Sequence, residues 1–250
     1  ATVAIHQYLE AIGADFGVKV KIFKNMPGGS GLGSSAASAV AGVFAINEIC
    51  GKRMSNMDMM PFLLHAEFIA CGSAIADNVA SSLFGGFILV RSYEPLEIIP
   101  IPTPADLFAA VIYPHITVLT KEARELLPKE IPLPHSLRQS ANLGGLLVGL
   151  MSSNYDLIGR SLVDYIAEPY RSRLIPGFFE MKKAALAAGA LGGSISGSGP
   201  SVFALCKGKG IAENVATAMQ TAISEKGISS DIYVSRVNAA GPKVIMSNYS

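Results

Sequence analysis

Apolar residues recur at helical spacing from the start of the chain, where Val3, Ile5, Tyr8, Leu9 and Ile12 predict a helix over 2–15. Val18 to Phe23 (VKVKIF) instead alternates apolar and basic positions, the period of a half-buried strand. Ser34 to Cys50 reads as a helix stopped by Gly51. A further helix is predicted over 56–70 with Ser55 as its N-cap, and Pro61 early in it implies a kink or a later start. Residues 71–82 read as irregular, and 86–91 and 97–101 as strands. The segment EPLEIIPIPTPAD holds four prolines and reads as the connection between two parts of the chain, 1–104 and 105–250. Beyond it the pattern predicts a strand over 107–113, a helix over 121–127, a buried apolar helix over 136–151 and an amphipathic segment over 155–166. A helix over 176–189 ending at a glycine cap follows. The chain closes with a glycine–serine loop and strand over 194–206, a helix over 211–226 and a strand over 232–237. Strands and helices intermix without a regular βα alternation, which favours an α+β architecture in two lobes.

Composition narrows the function classes. Half of the 250 residues are apolar, enough to bury a sizeable core. Twenty Lys and Arg against nineteen Asp and Glu give a net charge of +1, without the basic excess of a nucleic-acid or anionic-membrane binder. Mean hydropathy is positive, yet no uninterrupted apolar stretch of about 18 residues occurs. Cys50, Cys71 and Cys206 lie far apart, form no C-x-x-C pair, and fit reduced cytoplasmic thiols. No signal peptide is evident, and the first residues read like a helix already under way.

The candidate chemistry begins in the loop before the second helix. Gly28, Gly29, Gly31 and Gly33 crowd together in N-M-P-G-G-S-G-L-G-S-S-A-A-S. Glycines let backbone amides approach a ligand, successive N–H groups form an anion-binding concavity, and a helix N-terminus adds partial positive charge. Ala36, Ala37, Ala39, Ala41 and Gly42 keep that helix slim. The bland alternative is a flexible turn that only caps a helix. The loop is not a Walker A motif, since no Gly-Lys-Ser/Thr follows the glycines, and its spacing is not the dinucleotide fingerprint.

The stretch P-G-G-S-G-L-G-S-S-A-A-S resembles the phosphate-binding motif of the GHMP kinases, the galactokinase, homoserine, mevalonate and phosphomevalonate kinase superfamily. GSISGSGPS (193–201) resembles that family's C-terminal glycine-rich motif, and the resemblance runs over nearly the whole chain. It implies a two-lobed α+β fold, with an N-terminal lobe like ribosomal protein S5 domain 2 and a ferredoxin-like C-terminal lobe. Three further segments are similar to the homoserine kinases: ADNVASSLFGGF (76–87), TKEARELLP (120–128) and AEPYRSRLIPGF (167–178). The implied activity is ATP-dependent phosphorylation of the side-chain hydroxyl of L-homoserine, a step of threonine biosynthesis, with ATP and Mg²⁺ as cofactors.

What the resemblance implies for single residues is as follows. Pro27, Gly28, Gly29, Ser30, Gly31, Leu32, Gly33, Ser34 and Ser35 bind the ATP phosphates, and Ser35 with Glu67 holds Mg²⁺, a hard cation suited to oxygen ligands. Leu63, Leu64, Phe68 and Ile69 surround Glu67 in sequence and predict that it is not freely exposed. Asn78, Arg124, Arg171 and the turn Gly197, Ser198, Gly199 bind substrate, since a zwitterionic amino acid needs its carboxylate neutralised and Arg does this bidentately. Arg173 is the fallback for Arg171. The bland readings are a helix-surface Arg124 paired with Glu122 or Glu125, and a tight turn at 197–199 before a buried strand. No catalytic base is assigned, because nothing in the pattern gives Asp77 that task.

Ile75 stands where the family often has His, Ser81 where it has Pro, and V-N-A-A-G-P-K-V-I (237–245) departs from V-N-x-x-G-A-R-V. Family members also begin with a strand-rich segment that has no counterpart here, so either a longer native protein or a partial gene product is expected. Another GHMP small-molecule kinase, or a non-catalytic binding protein of the same fold, stays open at this level. Homodimers are the commonest oligomers, which is the only ground in the sequence for expecting one.

Overall fold

The computed structural model describes residues 1–72, 74–237 and 240–245, and divides into two compact units. The first comprises Ala1–Gly28, Gly33–Ile101 and Asn238–Ser250, and the second Pro102–Val237 with Gly29–Leu32. The break falls between Ile101 and Pro102, within the proline-rich segment, and two pieces of chain join the unit they pack against. Gly29–Leu32 lies on the backbone of residues 196–201, where Ser201 N–H reaches Ser30 O at 3.2 Å. Ala240 and Gly241 lie on residues 83–85, so closely that a Cβ on Gly241 would overlap the Leu83 carbonyl.

In the first unit, helices α1 (Thr2–Ala11), α2 (Ser34–Ile49), α3 (Asn56–Cys71) and α4 (Ala76–Phe84) pack together, followed by a hairpin of β1 (Phe87–Tyr93) and β2 (Leu96–Ile101). Tyr8, Val43, Met59, Met60, Leu63 and Val79 are fully or almost fully buried in their core. The small residues of α2 admit α1 closely: a Cβ on Gly42 would stand 2.8 Å from Ile5 Cδ1. α3 opens on a capping box between Ser55 and Asp58 and runs through Pro61, so it does not start late. Two sequence expectations fail in this unit. Residues 76–84 are helical rather than irregular, because Ala76, Val79, Ala80 and Leu83 form one buried helical face and Asp77 sits in the first turn. VKVKIF is not a strand. Ladder hydrogen bonds to a neighbour hold a strand, and no described strand pairs with this segment, which leaves Val18, Val20, Ile22 and Phe23 exposed.

The second unit contains β3 (Leu107–Pro114), α5 (Thr120–Glu125), α6 (Leu133–Ser152), α7 (Tyr155–Arg160), α8 (Glu168–Arg171), a 3-10 turn (Ser172–Leu174), α9 (Phe178–Ala187), β4 (Gly192–Ile195), β5 (Val202–Lys207), α10 (Lys209–Ser224) and β6 (Ser230–Arg236). The sheet runs β4-β5-β3-β6 with every pair antiparallel. With α9 and α10 packed against it, this is the split βαββαβ arrangement of a ferredoxin-like unit. Phe178, Met181, Val215, Met219 and Ile112 fill its core. β4 escaped the sequence reading because two of its four residues are glycines, and a Cβ on Gly193 would overlap the Phe203 carbonyl across the strand pair. The amphipathic segment 155–166 is helical only to Arg160. Beyond it Asp164 accepts the N–H groups of Ile166, Ala167 and Glu168, which starts α8.

α6 is a helix, as expected, but not a buried one: Gly149 and Leu150 are its buried residues, while Leu133, Leu137, Val148 and Met151 are 57–70 % exposed. Its packed face is made by small residues, with Gly145 against Ser161 and Gly149 against Ile158. Among the described residues no helix is long and apolar enough to cross a membrane. Cys206 is buried, and burial pushes its thiol pKa up to about 11, so it acts as a small core residue.

One polar cluster lies inside the first core. Tyr8 donates its hydroxyl to Asn47 Oδ1 at 2.7 Å, and the same amide exchanges hydrogen bonds with the Met54 backbone at 2.9 and 3.0 Å. Tyr8→Phe removes one hydrogen bond and is expected to cost about 1 kcal/mol, whereas Asn47→Ala strands both Met54 groups and the tyrosine hydroxyl and should cost about 3 kcal/mol. Urea unfolding of the two variants checks the difference.

Candidate phosphate and acceptor site

The backbone of the first glycine loop alternates in hand. Gly29, Gly31 and Gly33 have φ of 73°, 79° and 71°, values that a side chain disfavours. Left-handed residues at every second position turn successive amides toward a common side, the geometry of an anion nest. Gly33 is also the N-cap of α2, so no side chain caps that helix. The first bond of α2 runs from Ala37 N–H to Gly33 O, so the amides of Ser34, Ser35 and Ala36 have no place in the helical ladder. α3, by contrast, closes its N-terminus with Ser55 and Asp58. The sixteen-residue α2 therefore presents an uncapped positive end at Gly33, with no acid in its first turn.

The two serines at the start of α2 differ. Ser34 is buried and donates its hydroxyl to Met26 O at 2.9 Å, pinning the loop entrance, so its side chain is already engaged within the protein. Ser35 is exposed in the first turn. On α3, Glu67 is half-buried, while its neighbours Phe68 and Ile69 are exposed and only Leu63 of the flanking apolar set is buried. The apolar surround expected from sequence is thus one-sided. Asn78 stands in the first turns of α4 with its side chain against Gly33, where a Cβ would lie 3.1 Å from Asn78 Oδ1. Two residues given no role in the sequence reading hold this helix start. Tyr93 accepts the Ala76 N–H at 3.1 Å, and Asp77 turns back to accept the Asn78 N–H at 2.7 Å. Asp77 is thus employed as a helix-start acceptor. Ile75 is the N-cap of α4, in extended conformation, and Ser81 donates back to Asn78 O at 3.2 Å.

In the second unit the two glycine motifs meet. A Cβ on Gly31 would lie 2.5 Å from Ser196 O and 2.8 Å from Gly199 O, and Ser196 donates its hydroxyl to Gly31 O at 2.9 Å. The turn Gly197–Ser198–Gly199, with φ of 57° at Gly197 and 86° at Gly199, precedes the buried β5, so the bland reading of a tight turn holds alongside any binding role. Arg171 braces that turn: its Nη1 donates to Gly197 O and its Nε to Ala123 O, each at 3.0 Å. Ser198 Oγ lies 3.3 Å from Thr120 Oγ1. Burial pulls the Arg171 pKa below its usual value, Asp164 opposes that, and the positive charge of Arg124 adds to it. Arg124 is exposed on α5, and no ion pair to it forms among the described residues, since Glu125 pairs with Lys121. Two guanidinium groups near enough to repel, one without a carboxylate partner, suit a carboxylate ligand. Arg173 is exposed on the 3-10 turn, away from these contacts.

For Mg²⁺, the described residues contain no cluster of three His, Cys, Asp or Glu side chains. A hydroxyl at Ser35 and a carboxylate at Glu67 are hard oxygen donors and fit a cation that takes its remaining ligands from phosphate and water. In the segment 237–245, residues 238 and 239 lie outside the described residues, and the glycine of its motif, Gly241, is the residue that packs on Leu83.

Comparison with known proteins agrees with this geometry. The family models described as GHMP kinases N terminal domain and GHMP kinases C terminal match residues 1–86 and 146–225. A homoserine kinase of Chloroherpeton thalassium is 44% identical over 98% of this chain and 79% of its own length. A crystal structure of homoserine kinase from Cytophaga hutchinsonii superposes with a TM-score of 0.94 at 54% identity, covering 98% of this chain and 78% of that one. A mevalonate kinase of L. major matches with a TM-score of 0.68 at 16% identity, a likeness of fold alone. Two motif-bearing halves in family order, and relatives matched along almost the whole chain, place it in the GHMP kinase family, among its homoserine kinases.

Proposed function

We propose that the chain transfers the γ-phosphoryl group of ATP to the side-chain hydroxyl of L-homoserine, giving O-phospho-L-homoserine for threonine biosynthesis. The observation that carries the phosphoryl half is the α2 N-terminus, left without a side-chain cap at left-handed Gly33. In the first unit the amides of Gly33 to Ala36 bind phosphate oxygens, the hydroxyl of Ser35 and the carboxylate of Glu67 hold Mg²⁺, and Asn78 hydrogen-bonds the acceptor. Bound Mg²⁺ would neutralise phosphate charge. In the second unit Arg124 and the remaining donors of Arg171 take the homoserine carboxylate, while Gly197–Gly199 shapes the turn beside them. Phosphoryl transfer of this kind rests on positioning and charge neutralisation, so no general base is required of these residues. The small acceptor, the nucleotide and the near-neutral charge fit a cytoplasmic enzyme that binds neither nucleic acid nor membrane.

A homodimer would cover the outward stripe of α6. Leu133, Leu137, Ser140, Ala141, Gly144, Val148 and Met151 share one helical face and are all exposed. About Gly144 the stripe is self-complementary in an antiparallel helix pair, with Leu137 facing Met151 of a second copy and the glycine at the two-fold axis. Leu137→Glu should halve the mass seen by analytical ultracentrifugation, and an unchanged mass would count against this interface.

ADP release from MgATP should depend on homoserine. Arg124→Ala is expected to raise the KM for homoserine about tenfold or more with the KM for ATP little changed, as loss of a carboxylate clamp predicts. Turnover with mevalonate or another alcohol but not with homoserine would keep the kinase and reject the acceptor. Gly31→Ala places a Cβ against two carbonyl oxygens at positive φ, and should abolish MgADP binding in calorimetry while Gly28→Ala, where a Cβ meets nothing within 4 Å, retains it.

A further inference from the structure

Arg171 is held by more than its own two hydrogen bonds. Three residues before it, at the start of α8, the carboxylate of Glu168 accepts from Lys182 Nζ at 2.5 Å and from Ser194 Oγ at 2.6 Å. The Lys182 and Glu168 side chains are only 21 % and 11 % exposed, and the Lys182 ammonium lies 5.8 Å over the Phe178 ring. The Glu168 backbone is fixed as well, since Asp164 Oδ2 accepts its N–H at 3.0 Å. Ser194 belongs to β4, which leads within three residues to Gly197, and the Gly197 carbonyl is the one that Arg171 Nη1 grips. The contacts close a ring within the second unit: Glu168 to Ser194, along β4 to Gly197, across to Arg171, and back along α8 to Glu168. Arg171 Nε, bound to Ala123 O, ties the ring to α5 beside Arg124.

We infer that Glu168 is a positioning residue for the acceptor side of the reaction, acting through Arg171 and the 197–199 turn without touching substrate. This rests on the function proposed above. A guanidinium presents five donors in a rigid fork, and two of them are spent on Ala123 O and Gly197 O. The direction of the remaining three is set by where those carbonyls stand and by where α8 places the Arg171 backbone. Glu168 constrains both, because one of its oxygens is bonded to the strand that carries Gly197 and its main chain belongs to the helix that carries Arg171. The choice of a carboxylate follows from Lys182: a half-buried ammonium needs a negative partner, and a charge-assisted pair of this geometry is stiffer than a neutral hydrogen bond. An acceptor clamp displaced by about 1 Å can cost about a hundredfold in rate, so a residue that never meets substrate can still govern the reaction.

The test uses the whole chain and two readouts. In steady-state kinetics, Glu168→Ala should raise the KM for homoserine about tenfold while the KM for MgATP moves less than about twofold. In an Arg171→Ala background the same substitution should add less than about twofold, because its effect passes through Arg171. Ser194→Ala, which keeps the ion pair, should show a smaller shift of the same kind and serves if Glu168→Ala does not fold. Amide hydrogen exchange needs no substrate. Glu168→Ala should speed exchange at Ser196 and Gly199, whose N–H groups bond to Ser201 O and Ser196 O, and leave the β5 amides of Phe203 to Cys206 protected. Equal rises in both KM values, full additivity with Arg171→Ala, or unchanged exchange at 196–199 would each overturn the inference. Absence of homoserine turnover in the unaltered chain would instead reject the proposed function, with exchange still deciding whether Glu168 holds the turn.

Discussion

The dominant constraint is the set of amides at the start of α2 that the helix itself leaves unbonded. Gly33 as N-cap supplies no side chain to them, and Gly29, Gly31 and Gly33 all adopt positive φ. A side chain at Gly31 would strike the backbone of Ser196 and Gly199. The first glycine motif is therefore shaped as much by the second as by any ligand: Gly31 must lack a side chain to seat against that turn.

Around that constraint the polar and charged residues fall into two kinds. Some are satisfied within the protein and serve geometry. Asp164 starts α8, Glu168 joins Lys182 and Ser194, Asp77 and Tyr93 hold the start of α4, and Ser34 pins the loop entrance. Others are left with capacity to spare. Arg124 has no carboxylate partner among the described residues, Arg171 retains donors after bracing Ala123 and Gly197, and Ser35 is exposed in the first turn of α2. The second kind carries the proposed chemistry, and the first kind holds it in place.

Much of this was legible from residue types alone. The helices beginning at Ser34 and Asn56 were marked by periodicity, a glycine stop and a capping serine. The glycine motifs declared a close backbone approach, and the family-like segments named Asn78, Arg124 and Arg171. What failed, failed where a partner decides the outcome. VKVKIF has strand periodicity, but a strand exists only through its neighbour's hydrogen bonds. β4 has one strand-forming residue, Ile195, yet pairs because its glycines let it lie tight on β5. α6 is apolar enough to be buried, but one face alone finds contacts.

The sequence by itself determined the local matters: where helices begin and stop, which loop offers bare amides to an anion, and which residues have the charge and reach for a phosphorylated amino-acid chemistry. These follow from properties each residue carries wherever it sits, such as the conformational freedom of glycine and the fixed fork of arginine. Tertiary structure alone decided which of those groups remain available. That Ser34 is engaged and Ser35 exposed, that Arg171 is a brace as well as a candidate ligand, and that Glu168 stands behind it are outcomes of contacts between residues as much as 48 positions apart in sequence. Hydrogen-bond capacity belongs to the residue, but its use is settled only by what the fold brings within about 3 Å.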